Sequence, residues 1–192
     1  MLKEIIHLIT KYNNENKIVD DNFYIELFNI LKKDPNLSNY VNDLILINKT
    51  NKNDSKYKRY VEGLAGIFGQ ASYDTLSNDL VIYTDNINSD VSKHIANFHL
   101  NSSDSITMYN LMVLQIMLHE IEHIKQERSL NKGNDFESEL LRAIYSSEPE
   151  TSYTYQYSLT ERLAEIRSYE QILLIYENMG ISNQEIYDYF EK

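Results

Sequence analysis

The most constraining stretch of this 192-residue chain runs from about Ser105 to Arg128, where neither glycine nor proline interrupts a helical pattern and His119 and His123 stand four residues apart. On an α-helix that spacing sets both imidazoles on one face, roughly 5–6 Å apart, within reach of a single metal ion. Advancing about 100° per residue from His119 gathers Leu111, Leu114, Met117, Leu118, Ile121 and Ile124 into one arc on the opposite side. The segment therefore specifies a helix with a buried back and a front that carries chemistry. Met112 and Ile116 fall on the histidine side one to two turns earlier, to pack against a neighbouring helix or to line an apolar pocket beside a metal. With 5 His and 17 Glu in the chain, chance supplies a His-Glu-x-x-His pattern only about 0.01 times.

Glu120 and Glu122 lie about 80° to either side of the midpoint of the histidine pair, so periodicity alone does not choose a general base between them. A catalytic zinc takes three protein donors and leaves its fourth position to water. The chain has no Cys, so those donors must be His or carboxylate. Glu127 continues the four-residue series but lies about 12 Å along the helix axis from His119, too far to share an ion. Glu161 is the better candidate, in Leu159-Thr-Glu-Arg-Leu-Ala-Glu165, because glutamates four apart on a helix repel and a cation on one relieves the pair. The spacing Ser158-Leu-Thr-Glu161 also fits a capping box, in which Glu161 merely closes the helix start. Asp135, Glu137 and Glu148 are the alternatives.

The segment Met117-Leu-His-Glu-Ile-Glu-His-Ile resembles the active-site helix of the zincin metallopeptidases. That resemblance implies that Glu120 activates a zinc-bound water and that Glu122 is solvated or lies behind the ligands. The later Glu161 and Glu165 resemble the gluzincin arrangement, which implies Glu161 as third ligand and Glu165 as the acid orienting His119 through its other ring nitrogen. Together with Glu161-x-x-Ala164, the pattern is similar to the ImmA/IrrE-like small metallopeptidases of phages and mobile elements. This likeness implies a zincin-like fold with a small sheet, one zinc ion and a protein or peptide substrate, a DNA-binding repressor among the candidates. It also implies that Leu80, Val81, Ile82 and Tyr83 form the edge strand that pairs with substrate. Tyr153, Tyr155 and Tyr157 alternate along an extended segment and so share one face, as packing residues or as phenol donors to a developing oxyanion.

Elsewhere the apolar spacing predicts helices over Leu2–Tyr12 and Phe23–Leu31, the second stopped by Asp34-Pro35. Asn39–Ile47 reads as a helix or, over Leu44–Ile47, as a buried strand, which completes an N-terminal helical region over residues 1–48. The polar loop Lys49–Lys56 separates it from a metallopeptidase core over 57–192, the whole within the size of one domain. Gly63, Gly66 and Gly69 predict irregular chain or a closely packed turn over Tyr60–Tyr73, and Leu80–Tyr83 is the clearest strand. Further helices are expected over Asp90–Phe98, Asp135–Tyr145 and Leu159–Asn178, the last closed by Gly180, with a polar connection over Ser146–Tyr157. Ser182-Asn-Gln-Glu185 starts a short terminal helix. The sum is a mostly helical α+β protein.

A formal charge of −11 repels a phosphate backbone, and the basic residues between Lys49 and Arg59 are diluted by Asn, Asp and Ser, so nucleic acid is not the expected partner. The abundance of Ile, Asn and Tyr reflects AT-rich codons rather than a prion-like segment. No run of about 18 apolar residues exists, which predicts a cytoplasmic protein that does not enter a membrane. His7 is expected to be structural, and His94 and His99 to be surface residues or oxyanion donors. The rival from another class is a noncatalytic helical interaction protein with a relic or structural metal site.

Overall fold

The computed structural model describes residues 1–62, 69–132, 138–141, 143 and 159–191. The first helix, α1 (Leu2–Asn14), buries Ile5, Leu8, Ile9 and Tyr12, the one face that its three- and four-residue apolar spacing defines. Asn16 then turns the chain with a φ of 52°. The second, α2 (Asp21–Lys33), is capped by Asp20, whose carboxylate accepts from the N–H groups of Asn22 and Phe23 and satisfies two donors the helix cannot. Asp34, extended ahead of Pro35, ends it.

Strand β1 (Leu44–Ile47) follows, so the extended alternative is the one realised there. After it come a tight turn knit by Asn48 and Asn51 and the short helix α3 (Lys58–Val61). Strands β2 (Ala71–Asp74) and β3 (Asp79–Tyr83) make a hairpin whose turn closes on Asn78 at a φ of 57°. The sheet order is β1-β3-β2, with β1 parallel to β3 (Leu44 opposite Leu80, Ile47 opposite Tyr83) and β2 antiparallel to it. β3 is buried along its whole length. Leu80 and Ile82 enter the main core, while Val81 and Tyr83 meet Ile47 and Tyr60 on the other face, which explains the unbroken apolar run. The expectation that Leu80–Tyr83 is an edge strand is therefore wrong. It is the central strand, paired on both sides, and β1 and β2 are the edges. The expectation of irregular chain up to Tyr73 likewise missed β2.

Helix α4 (Thr84–Ile95) leaves β3 directly and begins six residues before the expected Asp90, with only Thr84, Ile87 and Val91 buried along a polar stretch. Asn101 caps the long helix α5 (Ser102–Lys132) by accepting from the N–H of Asp104. Leu111, Leu114, Met117, Leu118, Ile121 and Ile124 are all fully buried, as the wheel required. Met112 lies in the core and Ile116 packs against it. Helix α6 (Leu159–Met179) ends at Gly180, whose φ of +67° is the left-handed conformation that a helix C-terminus uses. The last helix, α7 (Gln184–Phe190), is capped by Asn183, one residue later than the expected Ser182.

One apolar core joins residues from Ile5 in α1 to Phe190 in α7 and surrounds α5. The buried Asn110 side chain ties the α1–α2 connection onto α5, donating to Asn13 and the Lys17 carbonyl and accepting from the Val19 N–H. The protein is thus mostly helical with one three-stranded sheet, an α+β arrangement. Among the described residues no helix is long and apolar enough to cross a membrane.

Candidate metal centre

The histidine pair lies in the second half of α5, and α6 runs antiparallel against it, so that the start of α6 meets the end of α5. Two polar bridges set that register, the second of them buried. Gln115 donates to Ser168 at 3.0 Å, and Gln126 donates to the Thr160 carbonyl at 3.0 Å. Ala164, fully buried, lets the α6 backbone approach closely. The consequence is that Glu161, one residue after Thr160, faces both histidines.

His119 Nε2 lies 3.1 Å from His123 Nε2 and 3.2 Å from one oxygen of Glu161, and His123 Nε2 lies 3.2 Å from the other. Bonds of about 2.0–2.1 Å at tetrahedral angles put neighbouring donors about 3.3 Å apart, so these spacings fit one divalent cation. The three side chains are 20, 13 and 16% exposed, shielded yet open to an ion from solution. Three lone-pair-bearing groups converge on one point, and a positive charge is what lets them stay there. Burial opposes charge on His123, but its hydrogen bond to Glu161 and the charges of Glu120 and Glu161 outweigh burial and push its pKa up to about 9.

Glu120 and Glu122, equivalent by periodicity, have different surroundings. Burial pushes the Glu120 carboxyl above the usual carboxylate range, an effect the charges of His123 and His119 oppose and that of Glu161 reinforces, while the Tyr73 N–H on β2 lowers it. Glu122 is 2% exposed and engaged on the other side, paired with Lys125, accepting from Gln171 at 2.7 Å and facing Arg167 at 3.8 Å. It is neither solvated nor part of the histidine cluster. Its contacts with Arg167 and Gln171 join α5 to α6.

Glu165 does not take up the expected place behind His119. It is exposed one turn further along α6, and no hydrogen bond between the two is present among the described residues. The orienting contact that exists is on the other histidine, where Gln126 Oε1 lies 3.0 Å from His123 Nδ1. Gln126 belongs to no motif in the sequence, although it stands three residues after His123 and so on the same face of the helix, a spacing that could have pointed to it. Tyr73, whose edge-strand N–H faces Glu120, has no comparable signal in the sequence. Tyr153, Tyr155 and Tyr157 lie outside the described residues, as do the alternative ligands Asp135, Glu137 and Glu148. His7 is exposed on α1 rather than packed, His94 stands against Phe98 and Tyr189, and the His99 N–H meets Glu185. None of the three joins the cluster of His119, His123 and Glu161. In comparisons with protein-family models, curated proteins and solved structures, nothing matches the chain.

Proposed function

We propose that the chain is a zinc-dependent peptidase of the zincin type, in which His119, His123 and Glu161 hold the ion and Glu120 is the general base. The observation that carries this reading is the convergence of two imidazoles and one carboxylate, each 3.1–3.2 Å from the next, with a buried carboxyl one residue from the first. Two nitrogens and an oxygen suit zinc better than calcium or magnesium, which take oxygen donors. A zinc ion held there would supply Lewis acidity, lowering the pKa of water toward about 7 and stabilising negative charge on a carbonyl oxygen. Glu120, its pKa raised by burial, takes the proton from the attacking water and returns it to the leaving amine.

The strand that fits an extended substrate is β2. The Tyr83 N–H donates to the Gln70 carbonyl, and alternation along the antiparallel ladder then leaves the N–H and C=O of Tyr73 pointing away from β3. Among the described residues no strand pairs with that edge, which lies beside Glu120, and a peptide added to it would run past the general base. The substrate is a protein or peptide, and a DNA-binding repressor is one candidate.

The test combines metal analysis with a peptide library. Wild-type protein should carry one zinc per chain and cleave peptides. Glu120→Gln should keep the zinc and lose about 10²–10⁴-fold in rate. Cleavage unchanged by that substitution would remove the mechanism. A library left uncut while a single repressor is cut would narrow the substrate to that repressor.

A further inference from the structure

Gln126 is 1% exposed, on the same face of α5 as His123 and one turn beyond it. Its amide makes two hydrogen bonds at once, through Nε2 to the Thr160 carbonyl at 3.0 Å and through Oε1 to His123 Nδ1 at 3.0 Å. A backbone carbonyl can only accept. The amide nitrogen must therefore face Thr160, because the flipped amide would set two oxygens against each other. Its oxygen then faces His123, and an amide oxygen can only accept as well. The proton between them belongs to His123 Nδ1. When the ring is neutral its lone pair is on Nε2, the atom turned toward His119 and Glu161.

Building on the metal-binding reading above, we propose that Gln126 is the positioning residue of this centre: it fixes His123 as the tautomer with the proton on Nδ1 and the metal-binding lone pair on Nε2, and it anchors the start of α6 so that Glu161 meets the histidines. One side chain thus connects two ligand-bearing helices. The polarity of the chain runs one way, from the His123 N–H to the Gln126 amide to the Thr160 carbonyl, and no other proton arrangement satisfies all three groups. Its place is distinct from that of Glu122, whose contacts with Gln171 and Arg167 bridge the same helices without touching a ligand.

Two substitutions separate positioning from packing. Gln126→Met keeps the volume but removes both hydrogen bonds. Gln126→Glu keeps an acceptor for His123 while giving up the bond to Thr160 and burying a charge. A residue that matters only for packing predicts that the Glu variant is the worse of the two. A positioning residue predicts the reverse for metal: zinc affinity, measured by competition with a chromophoric chelator, falls about 10–100-fold in Gln126→Met and by clearly less in Gln126→Glu, which keeps the acceptor for His123 but not the anchor at Thr160. Zinc binding by Gln126→Met equal to that of wild type, or equal losses in both variants, would overturn the proposal. A second readout needs neither zinc nor activity. Long-range nitrogen–proton NMR of the metal-free wild-type protein, at a pH where the ring nitrogen shifts show His123 to be neutral, should show its proton on Nδ1. A proton on Nε2 would overturn the proposal even if the protein proved to be a peptidase. Should the protein bind no zinc at all, the function proposed above fails while the tautomer measurement still decides this one.

Discussion

Glu120 and Glu122 illustrate what one residue's position in a sequence can and cannot say. A helical period places each about 80° from the histidine midpoint and stops there, because it describes only the helix on which they stand. The neighbours come from α6 and β2, and these distinguish the pair: Glu120 faces the histidines and the Tyr73 N–H, Glu122 faces Lys125, Arg167 and Gln171. The two should therefore fail differently. Glu120→Gln should leave stability and metal content nearly unchanged and remove cleavage. Glu122→Ala should cost on the order of 1.5–3 kcal/mol in urea denaturation, the typical loss for a hydrogen bond to a charged group, while the protein that remains folded still binds zinc. A Glu122→Ala protein that is fully stable but metal-free would reverse these roles. Gln126 and Glu165 show the same limit. Spacing and resemblance put the orienting group on α6, behind His119, whereas the helix crossing exposes Glu165 and supplies the contact from α5 to His123.

The helices were legible where their own residues carried the instruction. The back of α5 is written in six apolar positions and the end of α6 in Gly180, whereas the Asp20 cap starts α2 at Asp21, two residues before the expected Phe23. At Gly180 a Cβ would meet nothing within 4 Å, so Gly180→Ala tests backbone conformation alone, and it should destabilise the protein by about 1–2 kcal/mol. Asp20→Ala should cost about 0.5–2 kcal/mol in the same measurement. Asp20 also predicts a pH dependence. Burial raises its pKa, but bonds from Lys17, Tyr12 and the Phe23 N–H overcome that and hold the carboxyl down at about 2. A pKa depressed from 3.8 contributes stability that is present above about 3.8 and is lost as the pH falls through about 2. Acid denaturation of Asp20→Ala should accordingly be shallower over that interval, and an unchanged profile would contradict the assignment. The strands were harder to read. β2 holds only two apolar–polar alternations, and what makes it a strand is its partner β3, across a turn that only Asn78 marks. β1 had the apolar content of either a strand or a buried helix turn, and its parallel pairing with β3 settled it.

Across the molecule, a single core lets α1, α2, α4, α6 and the sheet all pack around α5, so the rigidity of the site is that of the core itself. Ile121, between the two histidines and fully buried, is the most direct connection, and Ile121→Ala should cost about 2–5 kcal/mol. The charge balance of the site should show in stability too. The pKa of His123, about 9 against an ordinary 6.5, means that the protonated cluster stabilises the metal-free fold fully below about 6.5 and loses that contribution as the pH rises through about 9. Zinc changes the sign, because a ligating imidazole must be neutral and affinity then weakens in mild acid. Thermal denaturation of stripped and zinc-loaded protein between those two pH values should show the stripped midpoint falling relative to the loaded one, and the opposite trend would contradict the electrostatics of the cluster. The central claim, that His119, His123 and Glu161 together hold one divalent cation, is tested most directly by titrating zinc into stripped wild-type protein and Glu161→Gln side by side. The expected result is one tight site per wild-type chain and a marked loss of affinity in the variant; no stoichiometric binding by wild type, or equal binding by both, would contradict it.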